Sequence, residues 1–259
     1  MTYTITVEDD SLIEPTLLEG NRSVVFEVEE EGGYLGELKF ELFEQRAPRV
    51  TERMIELAES GFYEGITFHR IANEFVIQGG DPEGTGRGGS DLGEFDDQFH
   101  VDLQHNRTGL LSMAKTDDDT NNSQFFVTEN TSRHLDFNHS IFGVLVEGER
   151  VRETISNVDT QAADTSRPLI PVSISSATVI QDTEDAVVML RGLGTGGTTT
   201  VTVTAEDEDG NTTTETFTVT LAPDDVANND SPPFLDDFEA PVFEPGTPAE
   251  FQVLSLIHI

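Results

Sequence analysis

Arg70 is a permanent cation that stands close to an amide and to large apolar side chains. Phe75, Val76 and Gln78 follow it within eight residues. Arginine is rarely buried without a partner, so its position among apolar neighbours is unusual for a plain core. The combination suits a site that binds an apolar ligand and directs a hydrogen-bond donor at it.

The same residue types also allow structural roles. Arg70 could form an ion pair with Glu74 or Asp81, and Gln78 could cap a loop. The glycine clusters at residues 84–89 could suggest a phosphate-binding loop, but no Lys-Ser/Thr pair and no helix pattern follow them. These glycines are better suited to a loop that a peptide backbone can approach closely.

The elements that must position these residues are mainly short strands. Apolar and polar residues alternate over residues 24–28 and 38–42, which is typical of half-buried strands, and two glycines between the segments indicate a hairpin. Short strands alternate with Gly-rich and polar loops over residues 65–146, and residues 172–179 fit a closing strand. Many short strands with few helices indicate a mainly β fold of the closed-barrel type.

Two helices are expected besides the strands. Pro48 opens the first at its first turn, where the missing N–H costs nothing, and Gly61 ends it. Its apolar stripe consists of Val50, Met54, Leu57 and Ala58. Val151, Ile155 and Val158 fall on one face of a second, short helix.

Four blocks of the chain resemble, in order and spacing, the signatures of the cyclophilin-type peptidyl-prolyl isomerases, and we expect a bacterial member. They are residues 68–81, 109–114, 120–128 and 135–143. The resemblance covers roughly residues 24–180 and implies an eight-stranded antiparallel closed barrel capped by two helices, which we place at residues 21–180. It also implies that the chain isomerises X–Pro bonds of polypeptides.

The resemblance assigns a role to each residue of the site. Arg70 matches the arginine that donates to the prolyl nitrogen and weakens the amide resonance, and Gln78 matches the glutamine that fixes the substrate backbone. The substrate contacts fall on Phe75, Val76, Gly84, Ala114, Lys115, Gln124, Phe126, His134, Leu135 and His139. This chemistry needs no nucleophile, metal or cofactor, and the expected partners are proline-containing polypeptides.

Three positions depart from the pattern of well-known eukaryotic members. Val76 replaces the common Met of the pocket floor, His134 stands where those members carry Trp, and Lys115 stands where Asn is usual. If the contact of the Asn is made through its backbone, catalysis survives the change to Lys115. Substrate preference and the affinity for cyclosporin are the properties that these changes affect.

Two other functions fit the same residues. A binding module could recognise X–Pro segments with the same pocket, turnover being incidental, or the isomerase could be one module of an adhesive surface protein. Arg70 favours the enzyme, because binding a ground-state proline does not require a cation at the nitrogen.

The composition limits the partners and the compartment. The chain of 259 residues carries a net charge of −36, which argues against nucleic acid and anionic membranes. It has no cysteine, hence no disulfides, and no apolar run long enough to span a membrane. We expect a monomeric isomerase domain in a protein that is exported or attached to the cell surface.

The segments outside the isomerase domain differ from it in composition. Residues 1–20 are predicted to be a linker or the remnant of an upstream β module. The Thr-rich residues 181–222 alternate with period two and resemble the cadherin- or immunoglobulin-like repeats of large bacterial exported proteins, as a partial β-sandwich. Residues 223–259 are predicted to be a disordered, acidic, Pro-rich linker. Residues 254–259 match a translated transposon-library sequencing adapter, so we expect the natural sequence to be represented only to about Val253.

Asp207, Asp209 and Asn211 lie in the turn of the Thr-rich segment and have the oxygen chemistry that calcium prefers. They lack the twelfth-position glutamate of an EF-hand loop, so a solvated turn is the favoured interpretation and no metal site is assigned.

We expect weak cyclosporin binding, because His134 lacks the large flat surface and the indole donor of a tryptophan. The substitution His134→Trp should tighten it. Titration calorimetry on both proteins checks this, and tight binding by the unmodified chain would contradict the importance of this position.

Overall fold

The computed structural model describes residues 2–161, 166–181, 186–193, 196–222, 234–235 and 251–256. These residues fall into two compact units. The larger unit comprises residues 21–181, and the smaller one joins residues 1–20 with residues 182–259.

The bounds of the elements are as follows. The strands are β1 (Thr2–Val7), β2 (Ile13–Glu19), β3 (Arg22–Glu30), β4 (Gly33–Leu42), β5 (Arg70–Ala72), β6 (Val76–Gly79), β7 (Leu110–Met113), β8 (Phe125–Thr128), β9 (Ile141–Glu147), β10 (Val172–Gln181), β11 (Ala186–Gly192), β12 (Gly197–Glu206), β13 (Thr212–Ala222), β14 (Phe234–Leu235) and β15 (Phe251–Leu256). The helices are α1 (Pro48–Glu59), α2 (Glu149–Ser156) and a 3-10 turn at Arg133–Leu135.

The larger unit is one curled antiparallel sheet of eight strands in the order β10-β3-β4-β9-β7-β8-β6-β5. The two edges meet through an isolated bridge between Thr67 and Ser173, and Phe68 N–H donates to the carbonyl of Val172 at 2.9 Å. The predicted eight-stranded antiparallel architecture with two helices is confirmed. The sheet is closed by a few hydrogen bonds between β10 and the residues just before β5. A continuous ladder between the two edge strands is not formed among the described residues.

The interior of this sheet is filled by aromatic rings. Phe26 packs on Phe40, Tyr63 and Phe125 with centroid separations of 6.0, 5.8 and 5.4 Å. The Tyr63 hydroxyl donates to the carbonyl of Ser123 at 3.1 Å, which satisfies the one polar atom of the cluster. The alternation predicted for residues 24–28 and 38–42 places their apolar side chains in this core.

Both predicted helices cover the sheet. In α1 the stripe of Val50, Met54, Leu57 and Ala58 is buried, and Gly61 follows the helix with a φ of +74°. In α2 only Ile155 of the predicted apolar face is fully buried, and Val158 lies beyond the helix end.

The smaller unit corrects the prediction that residues 1–20 are a linker or the remnant of an upstream β module, because these residues form strands that belong to the same unit as the Thr-rich segment. Strand β1 pairs antiparallel with β12, and β2 pairs antiparallel with β11. The apolar residues of the Thr-rich strands form a core with Ile13, which belongs to the N-terminal segment. These strands therefore need residues 1–20 to bury their apolar face, and the N-terminal and Thr-rich segments share one unit.

Most of the predicted linker at residues 223–259 lies outside the described residues. Within it, β14 pairs with β13, and β15 pairs in parallel with β11. In the described part of the chain, no helix is long and apolar enough to cross a membrane.

The turn between β12 and β13 is held by its own side chains. The Asp207 carboxylate accepts hydrogen bonds from the backbone N–H groups of Asp209 at 2.9 Å and Asn211 at 2.8 Å. The Asn211 side chain also donates to Asp207, and these bonds lower the pKa of the Asp207 carboxyl. The carboxylate thus has a structural role in the turn, and within the described residues no group of three potential ligands is placed to hold a metal.

We predict that a fragment of residues 21–181 folds by itself, because its aromatic core is built within the unit. Its thermal midpoint, followed by circular dichroism, should match the unfolding of this unit in the full chain. A fragment of residues 21–181 without a cooperative transition would show that the smaller unit contributes to its core.

Candidate functional site

Antiparallel pairing places the key side chains of the site in one row. Arg70 in β5 lies directly opposite Gln78 in β6, and Gln78 lies opposite Phe126 in β8. Directly opposed residues project to the same face of a sheet. Ile71 and Ile77 alternate with them and are buried on the other face. The period of two therefore separates a core face from a face that can receive a ligand.

The Arg70 guanidinium is half-buried and has no carboxylate partner among the described residues. Its Nη1 donates a long hydrogen bond to Gln78 Oε1 at 3.4 Å, and its Cζ lies 5.6 Å from the centroid of the Phe75 ring. The ion pair with Glu74 or Asp81 that the sequence allowed is not formed. Burial lowers the pKa of Arg70, but an arginine remains charged in proteins.

The amides of Gln78 and Gln124 link Arg70 to the glycine loop. Gln78 Nε2 donates to Gln124 Oε1 at 3.0 Å, and Gln124 Nε2 donates to the carbonyl of Gly88 at 2.9 Å. This relay orients Gln78 Oε1 toward Arg70. A groove of about 190 Å³ adjoins it, lined by Gln78, Gly86, Arg87, Gly88, Gly89, Glu94, Ala114, Lys115, Thr116, Thr120, Asn122 and Gln124.

The residues predicted to form the proline pocket include two pairs of rings in contact. Phe75 stacks on His134 with a centroid separation of 5.7 Å, and Phe126 meets His139 edge-to-face at 5.5 Å. Val76 is buried, and Leu135 is half-buried in the 3-10 turn that also carries His134. These residues are far apart in the chain and are brought to one region of the molecule.

His139 is held as a pocket wall. Its Nδ1 donates to the carbonyl of Met113 at 2.9 Å, which requires the proton on that nitrogen. Burial lowers the pKa of His139, so the ring is neutral near pH 7.

Lys115 lines the groove, while its charge is bound to carboxylates outside it. The ammonium group binds Asp97 and lies 3.4 Å from Asp118, and the side chain is only 3 % exposed. Burial opposes ionisation of Asp97, but hydrogen bonds from Lys115 and Asn121 prevail and lower the pKa of Asp97. The adjacent Ala114 N–H donates to the carbonyl of Gln124 at 3.0 Å.

The glycine loop is organised by Asp81. Its carboxylate accepts hydrogen bonds from the backbone N–H groups of Glu83 and Thr85, both at 2.8 Å, and of Gly86 at 2.5 Å. Burial alone would raise the pKa of Asp81, but these bonds outweigh it and lower the pKa.

Gly84 was predicted to contact the substrate, but it does not line the groove beside Gln78. Its φ is +61°, a Cβ there would lie 3.3 Å from Thr67 Oγ1, and its carbonyl accepts a hydrogen bond from Arg167. Gly86, Gly88 and Gly89 line the groove instead.

A buried network behind Phe126 was not predicted from the sequence. His105 Nδ1 lies 3.1 Å from Asp136 Oδ1, His105 Nε2 lies 3.1 Å from Ser112 Oγ, and the ring stacks on Phe126 at 5.9 Å. Ser112 and His105 are 0 % exposed, so this Ser-His-Asp arrangement cannot reach a substrate as a nucleophile. It supports Phe126 from behind, and no local spacing in the sequence indicates it.

A larger groove of about 840 Å³ lies elsewhere on the same unit. It is lined by Glu30, Arg150, Glu153, Thr154, Asn157, Val158, Asp159, Leu169 and Ile170. It contains none of the predicted site residues, so its size does not make it the candidate site.

Comparison with known families and proteins agrees with this geometry. The profile of the family "Cyclophilin type peptidyl-prolyl cis-trans isomerase/CLD" matches residues 24–179. The peptidyl-prolyl cis-trans isomerase ppi1 of Schizosaccharomyces pombe is 43 % identical over 148 residues, which cover 56 % of this chain and 94 % of that protein. The mouse peptidyl-prolyl cis-trans isomerase-like 1 is 42 % identical over 145 residues, 55 % of this chain and 86 % of that protein.

The fold is also shared with solved structures. A cyclophilin type peptidyl-prolyl cis-trans isomerase of Cryptosporidium parvum superposes with a TM-score of 0.58 at 34 % identity, covering 62 % of this chain and 99 % of that one. A second structure of it, in the presence of the dipeptide Ala-Pro, gives 0.57 at 33 % identity, with the same coverage of 62 % and 99 %. These relatives are eukaryotic and give no support to the bacterial origin, and none of these matches supports a cadherin- or immunoglobulin-like repeat.

We predict that Asp81→Asn destabilises the larger unit by about 1–3 kcal/mol at neutral pH, because charge-assisted acceptors of the loop N–H groups are lost. Folding lowers the pKa of Asp81, so the wild type has the higher free energy of unfolding at pH values above the unfolded-state pKa of about 3.9. This difference is lost as the pH falls through the folded value. Urea unfolding of both proteins at neutral pH and over a series of decreasing acidic pH values measures it.

The exposed Asp91→Asn is the matched control for Asp81→Asn and should be neutral at both pH values. Equal effects of the two substitutions would mean that Asp81 does not hold the loop.

Proposed function

The chain belongs to the cyclophilin-type peptidyl-prolyl cis-trans isomerase family, and from this premise we propose a mechanism in which Arg70 accelerates rotation about X–Pro bonds by weakening the amide resonance. The activity of the family follows from the match over residues 24–179 and from the related isomerases. The roles of the individual residues are our proposal.

Rotation about the amide C–N bond has a barrier of about 18–20 kcal/mol, because the bond has partial double-bond character. At the transition state the lone pair of the prolyl nitrogen leaves conjugation and the nitrogen becomes pyramidal. A cationic N–H donor placed at this nitrogen stabilises that state more than the planar ground state. No bond of the substrate is broken, and no proton leaves the enzyme.

The other residues hold the substrate in this proposal. Phe126, Leu135 and His139 enclose the proline ring, whose burial is favoured by the hydrophobic effect. Gln78 fixes the substrate backbone through the relay to Gln124. The backbone at Ala114 and Lys115 supplies further polar contacts, since the Lys115 ammonium group is already bound to Asp97.

The observation that carries the proposal is the state of the Arg70 guanidinium. It is half-buried beside Phe75, and within the described residues its hydrogen-bond partner is the neutral Gln78. A structural arginine in such surroundings would be expected to pair with a carboxylate. The donors of Arg70 thus remain available to a ligand. The structure of the related Cryptosporidium parvum protein was obtained in the presence of the dipeptide Ala-Pro, which contains the X–Pro unit proposed as the substrate here.

The alternative is an X–Pro binding module with little turnover. It uses the same pocket but does not need a cation at the prolyl nitrogen, so the position of Arg70 favours the enzyme. The two differ in whether removing the guanidinium affects the rate or only the affinity.

We further propose that the protein is exported or presented at the cell surface and that the smaller unit is a β module of the kind found in such proteins. The acidic composition and the Thr-rich strands support this. Fractionation of the source cells, followed by detection of the chain, tests the location.

Arg70→Ala should slow isomerisation of an Ala-Pro peptide by about 10²–10³-fold, the scale for losing one preorganised donor. The measurement is kcat/KM from line-shape NMR on purified protein, with no metal or nucleotide added. Arg150→Ala, an exposed arginine outside the site, is the matched control and should retain full activity.

A folded wild-type protein that binds Ala-Pro peptides without accelerating their isomerisation would contradict the mechanism and support the binding module. Arg70→Lys separates charge from geometry. It keeps the cation but loses the planar fork, so we expect intermediate activity.

A further inference from the structure

Phe137 is a large aromatic residue in a backbone conformation that favours glycine. Its φ is +54°, in the left-handed region, and its side chain remains 45 % exposed. Residues with a Cβ are disfavoured in this region, and bulky residues are rare there. Burial of the side chain therefore compensates only partly for the unfavourable backbone conformation. Packing alone does not explain why a phenylalanine occupies this position.

The ring of Phe137 forms a pair with a second exposed aromatic ring. Phe99, 42 % exposed, meets it edge-to-face with a centroid separation of 6.4 Å. The two residues are 38 positions apart in the chain, so the fold brings them together. Edge-to-face pairs leave ring faces and edges free for another apolar group.

This aromatic pair adjoins the candidate site on two sides. Phe137 lies between Leu135 and His139, which are predicted walls of the proline pocket, and the N–H of His139 donates to the carbonyl of Leu135 at 3.0 Å. On the other side, the Lys115 ammonium group lies 6.0 Å from the centroid of Phe99. A ligand that leaves the proline pocket past His139 or Lys115 therefore meets this pair.

A groove lies next to Lys115 and His139, the two residues through which the aromatic pair adjoins the site. It has a volume of about 240 Å³ and is lined by Lys115, Thr116, Asp117, Asp118, Asn138 and His139. His139 also touches Phe126 in the pocket, at 5.5 Å between ring centroids. His139 therefore lines the groove and also contacts Phe126. Asp117 and Asp118 make it unfavourable for acidic side chains.

We propose that Phe99 and Phe137 form an aromatic subsite that binds a large apolar side chain of the substrate, near the proline. The inference rests on the proposed function, since the occupant is part of the same X–Pro polypeptide. An extended chain advances by about 3.3 Å per residue, so the side chain belongs to a residue within about three positions of the proline. The subsite thus selects X–Pro segments that have a Phe, Tyr or Leu close by.

The test uses two sets of Ala-Pro peptides that carry either Phe or Ser at each position up to three residues from the proline. We expect one position at which kcat/KM for Phe exceeds that for Ser by about 10-fold, the lower end for an apolar group in a partly open site. The excess should lie mainly in KM, because the subsite binds ground and transition states alike.

Phe137→Gly should reduce this ratio to within about twofold of unity, and Phe99→Ala should do the same. Phe137→Tyr keeps the ring and should retain the ratio. Tyr34→Gly removes another exposed aromatic residue, at the β3–β4 hairpin, and is the control. The ratio is informative because a general loss of structure would slow both peptides equally and leave it unchanged.

Two results would overturn the proposal. One is a wild-type protein that isomerises all peptides but shows no preference for Phe at any position. The other is a preference that survives in Phe137→Gly and Phe99→Ala. A wild-type protein without activity on any peptide would instead contradict the proposed function, so the two failures can be distinguished.

Discussion

The site depends on keeping one guanidinium partly buried without a carboxylate in a chain that contains 50 acidic residues. A free carboxylate near Arg70 would pair with it and remove the donor from any ligand. The sheet prevents this by its register, which places the neutral Gln78 opposite Arg70 and Phe126 next to Gln78. The neighbouring side chains on this face are amides or apolar groups. In the part of the chain that the structure describes, no carboxylate on this face therefore competes with a ligand for the Arg70 donors.

Three acidic residues in the loops around the site have partners of their own. Asp81 accepts the N–H groups of the glycine loop, Asp97 binds the Lys115 ammonium group, and Asp136 binds His105 and Arg133. Each of these carboxylates has a lowered pKa, so each remains ionised and bound to its partners down to acidic pH. The same bonds fix the three loops that surround the groove. Stability of the loops and availability of Arg70 therefore have a common cause.

The sequence predicted the parts of this arrangement that depend on local patterns. Alternation located β3 and β4, the proline located the start of α1, and the signature residues identified Arg70 and Gln78, which the register then placed side by side. Prediction from the sequence failed where the structure is determined by pairing between distant segments. Pro15 and the polar stretch around it indicated a linker, yet β2 tolerates the proline because it is an edge strand of its sheet. The network of His105, Ser112 and Asp136 joins residues up to 31 positions apart, and no periodicity records it.

The neutrality of the pocket depends on two histidines that flank Phe126. His105 stacks on one side of the ring and His139 meets it from another. Burial lowers the pKa of both imidazoles, so they stay uncharged at neutral pH even though one contacts a carboxylate. A protonated imidazole at either position would place a positive charge beside Phe126 and disfavour burial of an apolar ligand there. With both rings neutral, the surroundings of Phe126 remain apolar, as the proposed proline pocket requires, while Arg70 supplies a cation on the same face of the sheet.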